Sequence, residues 1–168
     1  RTGLNIPDEI ADDDVYYNRF TTEGKMTKAM RNFHNLYVKQ KLIVGVSKPG
    51  NTLVDLAVGK AGDLSKWIKA RLSFVLGIDV SPDNIENRVD GACARYLNTR
   101  KEFQIMPAAL FVHGNSSVNI RDGSAMFTEK GKEIVKAVFG TGTKDKERLG
   151  EGVYKQYGKA SDGFQITS

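Results

Sequence analysis

Residues 51–79 read NTLVDLAVGKAGDLSKWIKARLSFVLGID, and the predicted fold is built outward from this stretch. Thr52–Ala57 is a short apolar run, typical of a strand that is buried on both faces. Small residues follow over Gly59–Gly62, where the backbone can turn tightly. Asp63 stands at an N-cap position, and apolar residues then recur at helical spacing. Ser73–Ile78 is a second apolar run, which predicts a second strand.

Strand, glycine turn, helix, strand and acid occur in the order of a nucleotide-binding crossover. Asp79 lies twenty positions after Gly59, the spacing at which such folds place a carboxylate on ribose hydroxyls. The dinucleotide fingerprint G-x-G-x-x-G is absent, because Ala61 and Leu64 stand at its later glycine positions. Asp55, four residues before the first glycine, favours an S-adenosylmethionine-dependent methyltransferase. The alternatives are a nucleotide fold without retained activity and an NAD-dependent oxidoreductase.

Composition limits the functional classes. The chain has 168 residues, which favours one domain, and a net charge of +5 with an isoelectric point near 9.3 suits a phosphate-bearing partner. The single cysteine, Cys93, excludes an internal disulfide and a cysteine-based zinc site, and we expect it to be a small buried residue. His34 and His113 are far apart, which argues against a metal enzyme. Neither a membrane span nor a signal peptide is predicted, so we expect an intracellular protein.

The flanking segments predict further elements. Residues 1–26 read as an extended arm and Thr27–Val46 as a helix, whose apolar face is expected to hold Met30, Phe33, Leu36 or Tyr37, Lys41 and Val44. Ser81 is an N-cap before a proline, which predicts a helix to about Asn98. The apolar side of that helix is expected to hold Ile85, Val89, Cys93 and Leu97.

The second half of the chain predicts a third strand, Ala108–His113, followed by polar residues at its carboxyl end, where ligands bind in open α/β sheets. Lys130–Phe139 is predicted to be a short helix. Thr141–Ser161 is rich in Gly, Lys and Tyr, which indicates either a mobile basic flap or a disordered surface loop. Residues 163–168 begin like a fourth strand.

Three segments together resemble the guanine-N7 methyltransferase domain of mRNA capping enzymes, particularly the forms of large DNA viruses and some protists. They are Arg31–Asn35 (RNFHN) followed by Lys39, Asp55–Leu64 (DLAVGKAGDL, similar to D-L-A-C-G-K-G-G-D-L) and Gly77–Ser81 (GIDVS, similar to G-I-D-I-S). The resemblance runs from about Asp13 to the end. It implies an α/β, Rossmann-like S-adenosylmethionine-dependent methyltransferase fold, here its N-terminal portion, with parallel strands 1–4 and flanking helices. Residues 1–26 would be an arm and residues 27–168 a partial methyltransferase domain.

The resemblance also implies residue roles. Lys39 would pair with the carboxylate of S-adenosylmethionine, Gly59 would let the backbone pass close to the methionine moiety, and Asp79 would accept both ribose hydroxyls. The family holds adenine with an acidic residue after strand 3, a place taken here by Asn115 or Ser116, with Asp122 as a substitute. The full implied cofactor set is Lys39, Asp55, Gly59, Asp79, Asn115 and Ser116, and the implied cap-binding set is Asn32, His34 and Asn35.

The implied activity is methyl transfer from S-adenosylmethionine to N7 of the cap guanine at the 5′ end of mRNA, which leaves S-adenosylhomocysteine. Guanine N7 is already a nucleophile, so catalysis rests on alignment and electrostatic matching. We therefore nominate no catalytic acid or base, and no metal. The expected location is the cytoplasm, at a viral replication site, or the host nucleus.

The chain departs from the family pattern at three places. Val58 replaces a cysteine, and Ala61 replaces a glycine, which costs about 1 kcal/mol if that position needs a positive φ. The family continues with a Gln-Phe-x-x-His-Tyr segment after its fourth strand, near where this chain stops. We therefore expect a fragment with weak or no activity by itself. The alternative is a non-catalytic cofactor- or RNA-binding fragment that acts with a partner chain, and an unpaired strand-4 edge favours a dimer or a partner subunit.

Overall fold

A computed structural model describes residues 25–143 and 145–157. Parallel strands alternate with helices, as in other α/β domains. In chain order the elements are α1 (Lys25–Asn32), a π-helical segment (Phe33–Lys39), α2 (Gln40–Val46), β1 (Thr52–Asp55), α3 (Leu64–Lys69), β2 (Phe74–Asp79), α4 (Pro82–Glu86), α5 (Ala92–Glu102), β3 (Ala108–His113), α6 (Glu129–Val138), α7 (Lys146–Leu149) and α8 (Glu151–Tyr157). Within this described part, no helix is long and apolar enough to cross a membrane.

The three strands form one parallel sheet in the order β1-β2-β3. Thr52 is opposite Phe74, and Phe74 is opposite Ala108, so the strands start at the same level. This arrangement confirms the predicted α/β class with parallel strands and flanking helices. The predicted fourth strand and residues 1–24 of the predicted arm lie outside the described residues.

The sheet is covered on both faces, which explains why β2 is buried along its whole length. Alternate residues of β2 point to opposite sides. Phe74, Leu76 and Ile78 pack with α6 and α7, whereas Val75 packs with α3 and α5. The prediction that the first strand is buried on both faces is wrong for β1, whose residues are exposed or half-buried. β1 pairs only with β2 among the described strands, so it forms an edge.

The glycine turn joins β1 to α3, and its backbone is left-handed at two residues. Gly59 has φ 55° and Ala61 has φ 57°. The alanine at the family's glycine position therefore carries the expected strain of about 1 kcal/mol. Its methyl group is fully buried among the residues that pack against α3, and this burial offsets part of that strain.

The predicted helix from Pro82 to about Asn98 is wrong in one respect: it is two helices, α4 and α5. Ser81 caps α4 as predicted, because its Oγ accepts the Asn84 N–H at 3.4 Å. At Asn87 the backbone leaves the helical region (ψ 121°). The Asn87 side-chain oxygen accepts the N–H groups of Val89 and Asp90, so local side-chain bonds replace the helical ladder.

This break changes which residues face the core. Ile85 is buried as predicted, but Ala92 and Tyr96 take the buried positions of α5. The other members of the predicted apolar side are exposed, namely Val89, Cys93 and Leu97. The prediction that Cys93 is buried is therefore wrong as well.

The predicted helix over Thr27–Val46 is confirmed as one continuous helical stretch with a π-helical segment in its centre. Its predicted apolar face is buried only in part: Val44 packs against the core. The other apolar members of that face are each more than half exposed, namely Met30, Phe33, Leu36 and Tyr37. Asn35 is buried instead. In a π-helix the hydrogen bonds join residues i and i+5, and successive residues are rotated about the axis by a smaller angle than in an α-helix. A prediction that assumes α-helical spacing therefore assigns the residues of this segment to the wrong faces.

The C-terminal segment is more ordered than the sequence suggests. The predicted flap or loop over Thr141–Ser161 contains α7 and α8, which correct that prediction for residues 145–157. Leu149 is almost fully buried in the cluster around α6 and β2. The predicted helix over Lys130–Phe139 is confirmed as α6, whose N-cap Thr128 accepts the Gly131 N–H at 3.0 Å.

Candidate functional site

Asp79 is the best-organised carboxylate at the carboxyl edge of the sheet. It ends β2 and is buried, with 7% of its surface exposed. Its Oδ2 accepts the Gly59 N–H at 2.8 Å, and its Oδ1 accepts the Ser81 N–H at 2.9 Å and the Asn84 side-chain amide at 3.1 Å. A carboxylate offers about four lone pairs, so these three donors leave one on Oδ2. The glycine turn and Asp79 are therefore held in one rigid unit.

A cluster of alternating charges lies beside this unit. Asp63 binds two lysines through separate oxygens: Lys39 Nζ is 3.2 Å from Oδ2, and Lys66 Nζ is 2.9 Å from Oδ1. Lys39 comes from the π-helical segment, so this ion pair connects the first helix to α3. The Lys66 side chain is only 6% exposed, which strengthens its pairing with Asp63 because little water competes.

Asp55 ends β1 and is electrostatically part of the same cluster. Burial raises the pKa of its carboxyl above the ordinary value of 3.8, and the nearby charges of Asp63 and Asp79 raise the pKa further. The Ala57 N–H, which donates to Asp55 Oδ1 at 3.2 Å, and the charge of Lys39 oppose this shift. The three acids Asp55, Asp63 and Asp79 thus carry one more formal charge than the two lysines bound to Asp63 balance.

The end of β3 lies next to Asp79, because the Gly114 N–H donates to the Asp79 carbonyl at 2.9 Å. Asn115 follows, half-buried, and its side-chain oxygen accepts the Ser117 N–H at 3.0 Å and the Ser117 hydroxyl at 2.8 Å. Ser116 is exposed. Asp122 is in a separate turn, where its carboxylate accepts the Ser124 N–H at 2.8 Å.

The three predicted cap residues differ in their surroundings. Asn35 is buried and Asn32 is half-buried, whereas His34 is exposed and its ring meets Phe33 edge to face at 6.1 Å. All three lie on the helix that also supplies Lys39. Lys39, Asp55, Gly59 and Asp79 are thus brought to one place, with Asn115 beside Asp79.

Sequence reasoning missed the role of Asp63. It predicted an N-cap, and Asp63 does occupy that position of α3, but its side chain makes no capping hydrogen bond and binds the two lysines instead. An acid directly after the Gly-Lys-x-Gly turn was the available signal. Lys60 was also missed: its buried ammonium lies 2.7 Å from Asp90 and 3.6 Å from Asp83, which ties the glycine turn to the segment after β2.

The charged groups of this site suit a zwitterionic nucleoside ligand. A cation, Lys39, suits a carboxylate, and two acids, Asp55 and Asp63, suit an ammonium group. The Asp79 carboxylate suits a hydroxyl donor. Among the described residues, no group of three or more His, Cys, Asp or Glu side chains could hold a metal ion.

Comparison with known proteins is consistent with this arrangement. A family model for the mRNA (guanine-N(7))-methyltransferase domain matches residues 16–140. The chain is similar to a probable mRNA-capping enzyme of Acanthamoeba polyphaga mimivirus, with 30% identity over 72% of this chain and 9% of the relative. It is also similar to mRNA cap guanine-N(7) methyltransferase 1 of Arabidopsis thaliana, with 43% identity over 61% of this chain and 29% of the relative.

A third relative is the mRNA cap guanine-N(7) methyltransferase of Saccharomyces cerevisiae, with 37% identity over 46% of this chain and 17% of the relative. The chain thus spans less than a third of each of these relatives. Its own match to the family model covers most of its length, from Tyr16 to Gly140. The chain belongs to the mRNA (guanine-N(7))-methyltransferase domain family.

Proposed function

We propose that this chain binds S-adenosylmethionine and takes part in methyl transfer to N7 of the guanine cap of mRNA. The observation that carries the proposal is the buried Asp79 carboxylate, which two backbone N–H groups orient beside the glycine turn. Its neighbours Lys39, Asp55 and Asp63 provide the charges that an α-amino acid group requires. Family membership supports the same reading.

The cofactor would span the carboxyl edge of the sheet. Lys39 would bind its carboxylate, and Asp55 and Asp63 would bind its ammonium group. Asp79 would accept the ribose hydroxyls. The Asn115 side-chain oxygen would accept a hydrogen bond from the adenine amino group in place of the one that the Ser117 hydroxyl donates to it. S-adenosylmethionine supplies a methyl group that its sulfonium charge activates.

Asp79 has one open lone pair, whereas two ribose hydroxyls need two. The Asn84 donor to Oδ1 belongs to a side chain, which can rotate, whereas the Gly59 and Ser81 donors belong to the backbone. A rotation of the Asn84 side chain would free the second acceptor. Asn84 therefore belongs to the proposed ribose subsite as the group that yields to the cofactor.

The cap guanine would bind against the first helix, where Asn32, His34 and Asn35 offer amide and imidazole groups to its edge and sugar. N7 already holds the lone pair that forms the new bond, so no side chain has to remove a proton first. The task of the protein is to hold N7 in line with the methyl group.

The proposal includes an arm over residues 1–26, whose last two residues begin α1, and a partial domain over residues 27–168. It also includes a cytoplasmic or nuclear location. The second candidate is a binding module that acts with a partner chain or as a homodimer. One observation favours it: among residues 25–143 and 145–157, β1 has no strand on its outer side. Light scattering separates the two, since a stable monomer would count against the module.

Calorimetric titration with S-adenosylhomocysteine tests the proposal directly, followed by titration with the cap analogue GpppG and a methyl-transfer assay on capped RNA. We expect saturable binding of S-adenosylhomocysteine, weak transfer, and no response to NADH. Binding of NADH without binding of S-adenosylhomocysteine would contradict the proposed cofactor. Binding of both ligands without any transfer would favour the binding module.

Replacement of Asp55 by asparagine is expected to stabilise the ligand-free protein at neutral pH. The pKa of Asp55 is raised in the folded protein. Ionisation of this carboxyl as pH rises through that pKa therefore lowers the free energy of unfolding. The amide has no charge to desolvate and can still accept the Ala57 N–H. Urea unfolding from pH 7 downward should show the gain shrinking toward pH 4, the region of the unfolded carboxyl.

The same variant should bind S-adenosylhomocysteine about tenfold more weakly, since a hydrogen bond to a charged group contributes about 1.5 kcal/mol. The exposed Asp145 provides the control, because Asp145→Asn lies away from the carboxyl edge of the sheet. If Asp55→Asn left binding unchanged, Asp55 would not face the ammonium group.

A further inference from the structure

We propose that the outward side of the first helix binds the single-stranded RNA that leads away from the cap. The surface consists of Phe33, Tyr37 and Lys41, which we term the aromatic ridge. The inference rests on the proposed function and adds to it a contact with the body of the transcript, distinct from the cofactor and cap subsites.

The aromatic ridge is a preformed stack that faces solvent. The Phe33 and Tyr37 rings lie 5.4 Å apart with an interplanar angle of 22°, and they are 56% and 51% exposed. Lys41 Nζ lies 4.3 Å from the Tyr37 ring centroid and donates to the Tyr37 hydroxyl at 2.9 Å. Exposed aromatic rings aligned with a cation are the platform on which single-stranded nucleic acids stack their bases.

The charge of this element is suited to a polyanion. The helical stretch of residues 25–46 contains five lysines and arginines and neither aspartate nor glutamate, a formal charge of +5, of which Lys39 is paired with Asp63. An apolar helix face that binds another protein does not need such an excess of positive charge. Phosphate groups do, because lysine and arginine contacts supply most of the affinity of non-specific nucleic-acid binding.

The aromatic ridge lies on the same helix as the predicted cap residues. Phe33 lies between the predicted cap residues Asn32 and His34, and its ring contacts His34. Tyr37 and Lys41 follow one turn and two turns further along the same helix. A base would continue the stack at Phe33, and Lys41 would move from the Tyr37 hydroxyl to a phosphate.

Fluorescence anisotropy with the full chain and a labelled, uncapped, unstructured RNA of about twelve nucleotides tests the inference. The variants are Phe33→Ala with Tyr37→Ala, and Phe33→Leu with Tyr37→Leu. Both pairs keep helix-favouring residues, and the leucine pair keeps apolar bulk while removing the stacking surface. Leu97→Ala, at an equally exposed apolar position of α5, is the matched control.

We expect both double variants to bind this RNA at least about tenfold more weakly, because stacking on one aromatic residue is worth about 1–3 kcal/mol per base. Leu97→Ala should bind as the unaltered chain does. Lys41→Gln should lower the slope of log affinity against log salt by about 0.7, the value for one phosphate contact on a single strand. S-adenosylhomocysteine titrations should be the same for all these proteins.

Three results would overturn the inference. Unchanged RNA binding by the alanine pair would remove the stacking role, and unchanged binding by the leucine pair would indicate general apolar docking. A dimer that the alanine pair converts to a monomer, with RNA binding intact, would make the ridge an interface between copies.

The inference and the proposed function fail separately. If S-adenosylhomocysteine and GpppG bind but RNA binding does not depend on the ridge, only the inference is wrong. If the RNA depends on the ridge and neither small ligand binds, the inference stands and the proposed function falls. If Phe33→Ala also alters S-adenosylhomocysteine binding, its effect on RNA binding is not specific to the ridge. The single variants Tyr37→Ala and Lys41→Gln then test whether RNA binding depends on the ridge.

Discussion

Replacement of Asp79 by alanine is expected to reduce the affinity for S-adenosylhomocysteine by at least about 100-fold, because two hydrogen bonds to a charged group contribute about 1.5–3 kcal/mol each. The carboxylate is the proposed acceptor of the ribose hydroxyls. It is also held in place before the ligand arrives, by the N–H groups of Gly59 and Ser81, so the carboxylate itself stays fixed on binding while the Asn84 side chain turns away.

The alanine variant should lose stability too. Removal of the carboxylate leaves the buried Gly59 N–H without its acceptor, at a cost of about 1–3 kcal/mol. Thermal unfolding therefore has to accompany the titration, which is made at a temperature where the variant is folded. Asp79→Asn keeps part of this stabilisation, since its side-chain oxygen can still accept the Gly59 N–H.

Asp79→Asn should bind S-adenosylhomocysteine far more weakly than the unaltered chain, because its amide group would face the donors of Ser81 and Asn84 instead of accepting from them. Glu86→Ala removes an exposed acid from the neighbouring helix and should leave the affinity unchanged. If the asparagine variant kept the affinity of the unaltered chain, the ribose would not bind at Asp79.

Replacement of Gly77 by alanine is expected to lower the free energy of unfolding by about 1–3 kcal/mol, the usual effect of an added methyl group in a packed core. Gly77 lies within β2, two residues before Asp79. A Cβ at this position would lie 2.8 Å from the Val58 Cγ2 and 2.8 Å from the Phe111 Cδ1. Since Val58 directly precedes the glycine turn, the methyl group would push that turn away from the strand.

This displacement should weaken S-adenosylhomocysteine binding in addition to stability, because the turn and Asp79 share a hydrogen bond. Gly45→Ala is the matched control: Gly45 is exposed in α2, and a Cβ there would meet nothing within 4 Å. This control should gain about 0.5–1 kcal/mol, the helical difference between glycine and alanine. Equal effects of the two substitutions on urea unfolding would contradict the close approach of Val58 to β2.

The central unit of the fold was predictable from sequence because its signals are local. The apolar runs, the small residues at the turn and the acid at Asp79 all lie within residues 51–79. The structure confirms the strands, the helix between them and the tight turn, and it shows that this turn is left-handed at Gly59 and Ala61. The Ser81 cap and β3 were predictable for the same reason.

Two errors came from assuming that an α-helical pattern continues. The π-helical segment leaves Phe33 and Tyr37 exposed while Asn35 is buried. The side-chain bonds of Asn87 end α4 early, so Cys93 is exposed instead of buried. In both places the backbone leaves the α-helical conformation within a few residues. The spacing of the apolar residues by itself does not indicate where this happens.

The sequence by itself determined the order of strand, turn, helix and strand, the acid at the end of β2 and the family to which these segments belong. Only the tertiary structure decided that Asp63 binds Lys39, 24 positions away, as well as Lys66. It also decided that Lys60 is buried against Asp90 and that the aromatic ridge faces solvent. The physical reason is that turn and helix signals act between neighbours in the chain, whereas ion pairs and exposure depend on which distant elements pack together.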